Sequence, residues 1–291
     1  MKLPLVVGVD GSDASLVAVD WAVDEAALTG LPLRLVHASL SEHHETALPH
    51  GDVERPSAQE TAESIVESAV ARARRRNPGM EISADLVHDD AASALLSEGH
   101  NASVLVTGVR GRGELAGLLL GSVSLAVAAR AYCPVIVVRG DKAGLEGAHE
   151  QIMLGVGDPE TNSEAVRFAF RAAAARKCPL DAIRAWRCPA YEATDDPLSS
   201  DALSRYHRER ASALLDAALH DAAADHPEVR VRHRTVEGSA RKVLLRRSAA
   251  ADLMVIGARR RHGHFGLQLS RVGHTLLHHA DCPVAIVPQL T

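Results

Sequence analysis

The sequence contains an internal repeat, and this repeat limits the possible folds more than any other feature. The run VVGVDGSDAS near the start is echoed by MLGVGDPETN, and YCPVIVV is echoed by DCPVAIV near the end. Trp21 matches Phe168, and residues 36–38 match residues 183–185. Self-similarity of this kind is typical of a duplicated structural unit. We therefore predict two domains, residues 1–140 and 151–291, joined by a polar linker that contains glycines.

Each copy alternates short apolar runs with longer segments of helical pattern. In the first copy the predicted strands are 5–9, 33–38, 82–87, 104–107 and 135–138, and the predicted helices are 13–29, 57–76, 90–99 and 122–131. This alternation indicates parallel strands joined by right-handed crossovers, with helices on both faces of the sheet. The predicted fold class is therefore α/β, with two tandem copies of a five-stranded parallel sheet. Ligands of such sheets bind at the carboxyl ends of the strands.

A glycine-rich loop follows the fourth predicted strand, at the same edge of the sheet as Asp10. From Gly108 the chain runs through two residues to Gly111 and through nine more to Gly121, which precedes a predicted helix. Glycines let backbone N–H groups approach a ligand, and the start of a helix attracts anions. The loop is therefore predicted to bind phosphate. Tight turns that need no ligand remain the alternative.

Side chains in the same region could add contacts to phosphate. Arg110 could form charge-assisted hydrogen bonds, and Ser122 and Ser124 could cap the helix or bond phosphate oxygens. The loop has no GxxxxGK[ST] pattern, so it is not a P-loop. It also lacks the third glycine of the dinucleotide-binding fingerprint and follows the fourth strand rather than the first.

The runs VVGVDGSDAS, GVRGRGELAGLLLGSVS and CPVIVV, repeated in tandem, resemble the universal stress protein family. The resemblance implies a Rossmann-like domain of the adenine-nucleotide hydrolase-like class that binds ATP. The family's signature is Gly, two residues, Gly, nine residues, Gly, then Ser or Thr, and the first copy matches it throughout. A divalent ion such as Mg²⁺ would accompany the phosphates, with Asp10 as its nearest carboxylate; a simple turn residue is the alternative for Asp10. The ATP-binding residues implied by the resemblance are Val9, Asp10, Gly11, Ser12, Ala38, Gly108, Arg110, Gly111, Gly121, Ser122, Val123 and Ser124.

The second copy departs from this signature at three places. Gly157 stands where the first copy has its aspartate, with Asp158 one place later. Arg260 replaces the second glycine of the signature, and Ser270 with Arg271 replaces the final glycine and serine. Added β-carbons narrow two places where backbone should meet phosphate, although the arginines at 259–261 could attract an anion through their side chains. We predict that the second site is weak or empty.

Composition excludes several other classes of protein. The net charge is −5 and the sequence pI is about 6.3, which provides no general basic field for nucleic acid. The uncharged run 115–129 is too short for a membrane span, which needs roughly 18 apolar residues. The opening MKLPLVVGVDGS has too short an apolar run for a signal peptide.

The four cysteines include no CxxC pair, and Cys133 and Cys282 are predicted to be buried thiols. A cytoplasmic location is the simplest expectation.

Three functions remain open at this stage. The first is an ATP-binding regulator of the stress response whose nucleotide state controls contacts with an unknown protein partner. It is favoured because no acid, base or nucleophile is evident beside the loop, as an enzyme would require. The second is a slow ATPase or self-phosphorylating protein, with Ser122 or Ser124 as the acceptor. The third is an interaction scaffold without nucleotide. The apolar last strands of the two copies are expected to pair within the chain, and homodimerisation is expected beyond that.

Overall fold

The computed structural model describes residues 2–40, 57–111, 120–157, 163–188, 197–260 and 267–289, with the backbone alone for 197–200, 260, 267 and 268. They form two compact units, Met1–Cys133 and Pro134–Thr291. None of the described helices is long and apolar enough to span a membrane.

The first unit is a parallel sheet covered by helices. Its strands pair in the order β3-β2-β1-β4. The strands are β1 (Leu5–Gly8), β2 (Leu33–Ala38), β3 (Ile82–Val87) and β4 (Val104–Gly108). The helices are α1 (Asp13–Thr29), α2 (Ala58–Arg76), α3 (Ala91–Glu98) and α4 (Ser122–Arg130), and a 3₁₀ turn (Gly99–Asn101) follows α3.

The second unit repeats this plan and adds three strands. Its parallel strands follow the order β11-β9-β6-β7-β8, and β5 pairs with β11 in the antiparallel direction. The strands are β5 (Val135–Val138), β6 (Ile152–Gly155), β7 (Leu180–Trp186), β8 (Val231–Glu237), β9 (Leu253–Arg260), β10 (Leu267–Gln268) and β11 (Val284–Pro288). The helices are α5 (Lys142–Leu145), α6 (Ser163–Arg176), α7 (Pro197–Asp225), α8 (Ala240–Ser248) and α9 (Arg271–His279). The short β10 pairs with β9.

The predicted α/β class is confirmed, and the elements of the first copy lie close to their predicted bounds. Local signals explain this agreement. Helix α1 begins after Ser12, whose side chain accepts the N–H of Ser15, and it ends at Gly30 in the left-handed conformation, φ 63°. Helix α2 begins with a reciprocal capping box between Ser57 and Glu60. The central strands are buried on both faces because helices cover both sides of the sheet, so they appear in the sequence as continuous apolar runs.

Three of the four cysteines are buried thiols, namely Cys133, Cys178 and Cys282, whereas Cys188 is partly exposed. Burial raises the pKa of Cys133 to about 11, and it raises the pKa of Cys178 and Cys282 as well. The thiolate is the reactive form, so a raised pKa and restricted access both slow modification.

We therefore expect iodoacetamide to modify Cys188 well before the other three cysteines in the folded protein at pH 8. Raising the pH to 9 should leave Cys133 protected, because only about one per cent of a thiol with a pKa of 11 is ionised there. Peptide mass spectrometry after timed quenching measures this order. Modification of Cys133 at the same rate as Cys188 would contradict it, and denatured protein, in which all four should react alike, is the control.

Candidate functional site

A cavity of about 350 Å³ opens at the carboxyl edge of the first unit's sheet. Its walls come from the ends of β1, β2 and β4 and from the starts of α3 and α4. The predicted site residues that line it are Val9, Asp10, Ala38, Gly108, Arg110, Gly111, Gly121, Ser122, Val123 and Ser124. Gly11 and Ser12 do not line the cavity, although Ser12 bonds directly to Asp10. The cavity thus joins residues that are about a hundred positions apart in the chain.

The structure adds lining residues that sequence reasoning missed: Gly8, Ser15, Val36, His37, Ala91, Leu95 and Thr107. Most of them are apolar or small, and they make one end of the cavity apolar. His37 and Thr107 are the immediate neighbours of the predicted Ala38 and Gly108. Their position next to predicted site residues was the one signal that the sequence offered. A histidine or threonine in an apolar run gives the same sequence pattern whether or not its side chain faces a ligand.

The carboxylate of Asp10 is held in place by the turn that follows β1. Its Oδ1 accepts hydrogen bonds from the backbone N–H of Ser12 at 3.0 Å and from the Ser12 hydroxyl at 2.6 Å. Its Oδ2 lies against Gly111, where an added Cβ would come within 2.4 Å of that oxygen. In the second copy both members of this contact change together, to Gly157 and Arg260. The aspartate and the glycine therefore form one structural feature of the first copy.

Helix α4 presents its N-terminus to the cavity without a side-chain cap. Gly121 is the N-cap residue, and no side chain among the described residues accepts a hydrogen bond at this helix start. The equivalent helix α9 begins at Ser270, whose hydroxyl accepts the N–H of Gly273 at 3.1 Å. The second copy thus satisfies its own helix start, whereas the first copy leaves that position to a ligand or to water.

The described glycines of the site divide into two kinds. A Cβ on Gly108 would come within 2.5 Å of the carbonyl oxygen of Ala14, and a Cβ on Gly8 would come within 2.7 Å of the Leu95 side chain. Packing therefore requires Gly108, which faces backbone, and disfavours a side chain at Gly8, where Leu95 would have to move. The second copy keeps glycine at both equivalent places, Gly155 and Gly257.

Gly121 is different from these packing glycines. Its backbone has φ −70° and ψ 150°, which any residue can adopt. The nearest atom to an added Cβ would be 3.6 Å away, an ordinary contact. Nothing in the packing of the described residues explains this glycine, and the second copy replaces it with Ser270. A ligand that approaches the start of α4 would explain it.

The hydroxyl of Ser124 is engaged inside the protein. Its Oγ donates a hydrogen bond to the carbonyl oxygen of Gly108 at 2.7 Å, and the residue is buried. This bond ties the first turn of α4 to the end of β4. Ser122 is exposed at the helix start, so of the two serines it is the one whose side chain is accessible from solvent.

Two buried polar side chains lie towards the apolar part of the cavity. The Nδ1 of His37 is 2.7 Å from the carbonyl oxygen of Val9 and must carry the proton in that bond, which leaves Nε2 as the ring's free acceptor when the ring is neutral. The hydroxyl of Thr107 is buried and has no hydrogen-bond partner among the described residues. In the second copy the histidine is replaced by Arg184, which donates to the carbonyl oxygen of Gly157.

The second copy's loop is only partly described. Arg259 lies at the exposed end of β9, while the side chain of Arg260 and the residues Asp158 and Arg261 lie outside the described residues. Within the part of the chain that the structure describes, no group of three or more His, Cys, Asp or Glu side chains is arranged to hold a metal ion. The fit of a divalent ion therefore depends on Asp10 acting together with a ligand's own oxygens, as is usual for Mg²⁺.

Comparison with known proteins identifies the family. The family model described as "Universal stress protein family" matches the chain twice, at residues 2–139 and 149–288. The chain is 30% identical to universal stress protein Rv2005c and 28% identical to universal stress protein Rv2623, both of Mycobacterium tuberculosis strain H37Rv. The first alignment covers 98% of this chain and 97% of the relative, and the second covers 98% and 96%.

The solved structures show the same fold. A universal stress protein from Archaeoglobus fulgidus superimposes with a TM-score of 0.70 at 15% identity, and the alignment covers 100% of both chains. Because the family model matches both repeats, the chain belongs to the universal stress protein family, with two tandem copies of its domain.

Proposed function

We propose that this member of the universal stress protein family binds one ATP in the cavity of its first unit and acts as a nucleotide-dependent regulator of a protein partner. The observation that carries the proposal is the start of α4. Among the described residues, no atom lies close enough to Gly121 to require a glycine, the helix that follows has no side-chain cap, and both features open onto a cavity. The second copy loses the glycine and caps the helix itself.

The triphosphate would occupy the glycine-lined end of the cavity. Backbone N–H groups at the start of α4 and the positive end of the helix dipole favour an anion there. The guanidinium of Arg110 and the hydroxyl of Ser122 line the same end and can add hydrogen bonds. Asp10 lies beside Gly111 with its carboxylate oriented by Ser12. A divalent ion bound there would offset the repulsion between that carboxylate and the phosphates.

The nucleoside would occupy the apolar end. Val36, Ala91 and Leu95 line it, and they provide apolar contacts for the faces of a base. The Nε2 of His37 can accept one hydrogen bond from a base amine or a ribose hydroxyl. The volume of about 350 Å³ lies within the range of small-molecule sites.

The residues in the cavity favour binding over rapid turnover. Of the described residues that line it, Asp10, His37 and Arg110 are ionisable. Asp10 is bonded to Ser12, and His37, which is bonded to the carbonyl of Val9, lines the part of the cavity proposed here for the nucleoside rather than the part proposed for the phosphates, where a general base would be needed. Slow hydrolysis or self-phosphorylation at Ser122 is the second candidate, since that hydroxyl lines the phosphate end and is exposed.

Calorimetric titration of the nucleotide-stripped full chain with Mg-ATP tests the proposal. We expect about one ATP per chain. A stoichiometry near two would mean that the second copy binds as well, despite its own helix cap. Absence of heat, together with no thermal stabilisation at saturating Mg-ATP, would contradict nucleotide binding. Incubation with γ-labelled ATP then separates the two candidates. If neither released phosphate nor labelled protein is detected, turnover is excluded.

The substitution His37→Arg, which introduces the residue of the second copy, should weaken Mg-ATP binding about tenfold, or about 1.4 kcal/mol. Arginine cannot accept a hydrogen bond and is longer than histidine, so it removes the acceptor and fills part of the apolar end. The matched control is Arg184→His in the second copy, which should leave affinity and stoichiometry unchanged. Equal affinity of the His37→Arg protein and the wild type would show that this ring does not contact the nucleotide.

A further inference from the structure

Two ion pairs join α1 to α2 in the first unit. Arg72 makes a two-pronged contact with Asp20 at 2.8 and 2.5 Å, and Arg76 makes the same contact with Asp24 at 2.7 and 2.6 Å. The two pairs lie one helical turn apart along both helices. Paired forks of this kind are geometrically more specific than a lone lysine contact.

A second ionic cluster lies on the sheet of the first unit. Arg34 of β2 contacts Asp85 of β3 at 2.8 Å and Glu98 of α3 at 2.9 Å. The cluster therefore connects β2 with the next strand and with the helix that follows it. The helix pairs thus join α1 to α2, and this separate cluster joins β2 to β3 and α3.

The equivalent positions of the second copy follow from the ends of its elements. Helices α2 and α7 end at Arg76 and Asp225, each two residues before a proline, and β3 and β8 begin at Ile82 and Val231. The same spacing relates the two copies throughout this region, and Trp21 matches Phe168 in the preceding helices.

Every charge in these two clusters is reversed in the second copy. The corresponding residues are Asp20 and Arg167, Asp24 and Arg171, Arg34 and Asp181, Arg72 and Asp221, Arg76 and Asp225, Asp85 and Arg234, and Glu98 and Arg247. Several other charged positions keep their sign, as with Glu60 and Glu209, Glu67 and Asp216, and Arg110 and Arg259, whereas Glu81 and Arg230 also differ in sign. The reversal is therefore concentrated at residues that make ion pairs in the first copy.

In the second unit the reversed pair between the two strands is formed. Asp181 of β7 is 1% exposed, and its Oδ2 accepts a hydrogen bond from Nε of Arg234 at 2.8 Å, while Arg232 lies 3.6 Å from its Oδ1. The carboxylate is now on the inner strand and the guanidinium on the edge strand, opposite to the first unit. Helices α6 and α7, which carry the other reversed residues, pack on each other as α1 and α2 do.

We propose that these reversed charges are a recognition code by which the elements of each copy select their own partners and reject those of the other copy. If α2 packed on α6, Arg72 would face Arg167 and Arg76 would face Arg171. If β3 paired with β7, Asp85 would meet the buried Asp181. Each exchange replaces an attraction by a repulsion, which is how specificity between similar partners is achieved.

The need for such a code follows from the repeat itself. The two copies share strand and helix order and a similar apolar pattern, so burial of apolar surface discriminates poorly between correct and exchanged pairing. Misassembly between similar units is a characteristic failure of repeat proteins during folding. Single exposed ion pairs stabilise little, but their sign decides between two pairings that are otherwise alike. If two chains exchanged helices or strands, the same code would pair each element with the equivalent copy of the other chain.

Refolding of the full chain tests the proposal without reference to its ligand. The sign-matched variant R167D/R171D/D221R/D225R gives the helices of the second copy the charges of the first. By equivalence with the first copy, each exchanged position still stands opposite a position of opposite charge, and the net charge is unchanged. The matched control adds D20R/D24R/R72D/R76D, so that both copies are reversed and the difference between them returns.

We expect the yield of native protein, counted by double-jump unfolding after refolding at submicromolar concentration, to fall by at least about a factor of two in the sign-matched variant. The matched control should recover the wild-type yield. Wild-type yield of the sign-matched variant would overturn the proposal. Equal loss in both variants would also overturn it, because the substitutions themselves would then be the cause. Failure of only the sign-matched variant to fold would support it.

Discussion

Replacing Gly121 by aspartate should weaken Mg-ATP binding by at least about 100-fold, or about 2.7 kcal/mol, while the fold is retained. Aspartate is a preferred N-cap residue, and the backbone angles and free space at this position accept a side chain. Its carboxylate would satisfy the N–H groups at the start of α4, as Ser270 does for α9. It would also place a negative charge where the phosphates are expected, and like charges about 4 Å apart repel by about 4 kcal/mol at an effective dielectric constant near 20.

The two effects of this substitution have opposite signs, which makes the result easy to interpret. Thermal stability of the unliganded protein should stay the same or rise, by about 1 kcal/mol at most, whereas the affinity measured by calorimetry should collapse. The variant Gly121→Ala separates the causes, because it adds a Cβ without a charge or a cap and should lose about tenfold or less in affinity. If Gly121→Asp bound Mg-ATP like the wild type, the start of α4 would not contact phosphate, and the nucleotide would have to be held by other parts of the cavity.

The sequence predicted the elements of the first copy well because their signals are local. Strand β4 is a continuous apolar run, and helix α1 starts at a capping serine and ends at Gly30. The parallel order followed from the alternation of strands and helices. In both cases the determining residues lie within one element or at its ends, so no knowledge of distant contacts was needed.

Other parts of the site depend on contacts between residues that are distant in sequence. The approach of Gly111 to the carboxylate of Asp10 joins two loops, and nothing near either residue signals it. The hydroxyl of Ser124 appeared able to bond phosphate, yet its proton is used by the carbonyl of Gly108. His37 could not be distinguished from an ordinary core histidine until its bond to Val9 was seen. In each case the tertiary partner defines the role.

The repeat supplied information that a single copy could not have given. Substitutions between the copies separate glycines that serve packing from the one that does not. Gly108 is matched by Gly257, while Gly121 is matched by Ser270. The sequence interpretation had assigned one role, access of backbone to phosphate, to all the glycines of the loop. The structure supplies a second reason for Gly108, because its missing Cβ faces α1.

Replacing Gly108 by alanine should therefore destabilise the first unit by about 1–3 kcal/mol, the usual range for forcing atoms into a packed interior. The added Cβ would come within 2.5 Å of the Ala14 carbonyl oxygen and 2.7 Å of its carbon, and backbone atoms cannot rotate away as the end of a side chain can. Urea unfolding followed by the fluorescence of Trp21, in a Trp186→Phe background, reports the first unit, since Trp21 lies in α1.

Gly121→Ala in the same background is the matched control, and its unfolding midpoint should stay close to that of the parent protein because no atom of the described residues comes closer than 3.6 Å to the added Cβ. The order of the two alanine variants should therefore differ between unfolding stability and Mg-ATP affinity. Gly108→Ala should lose more stability, and Gly121→Ala, compared at a temperature where both are folded, should lose more affinity. Equal stability of the two variants would mean that α1 yields to the new methyl group, and Gly108 would then have to be explained by the ligand, as the loop sequence first suggested.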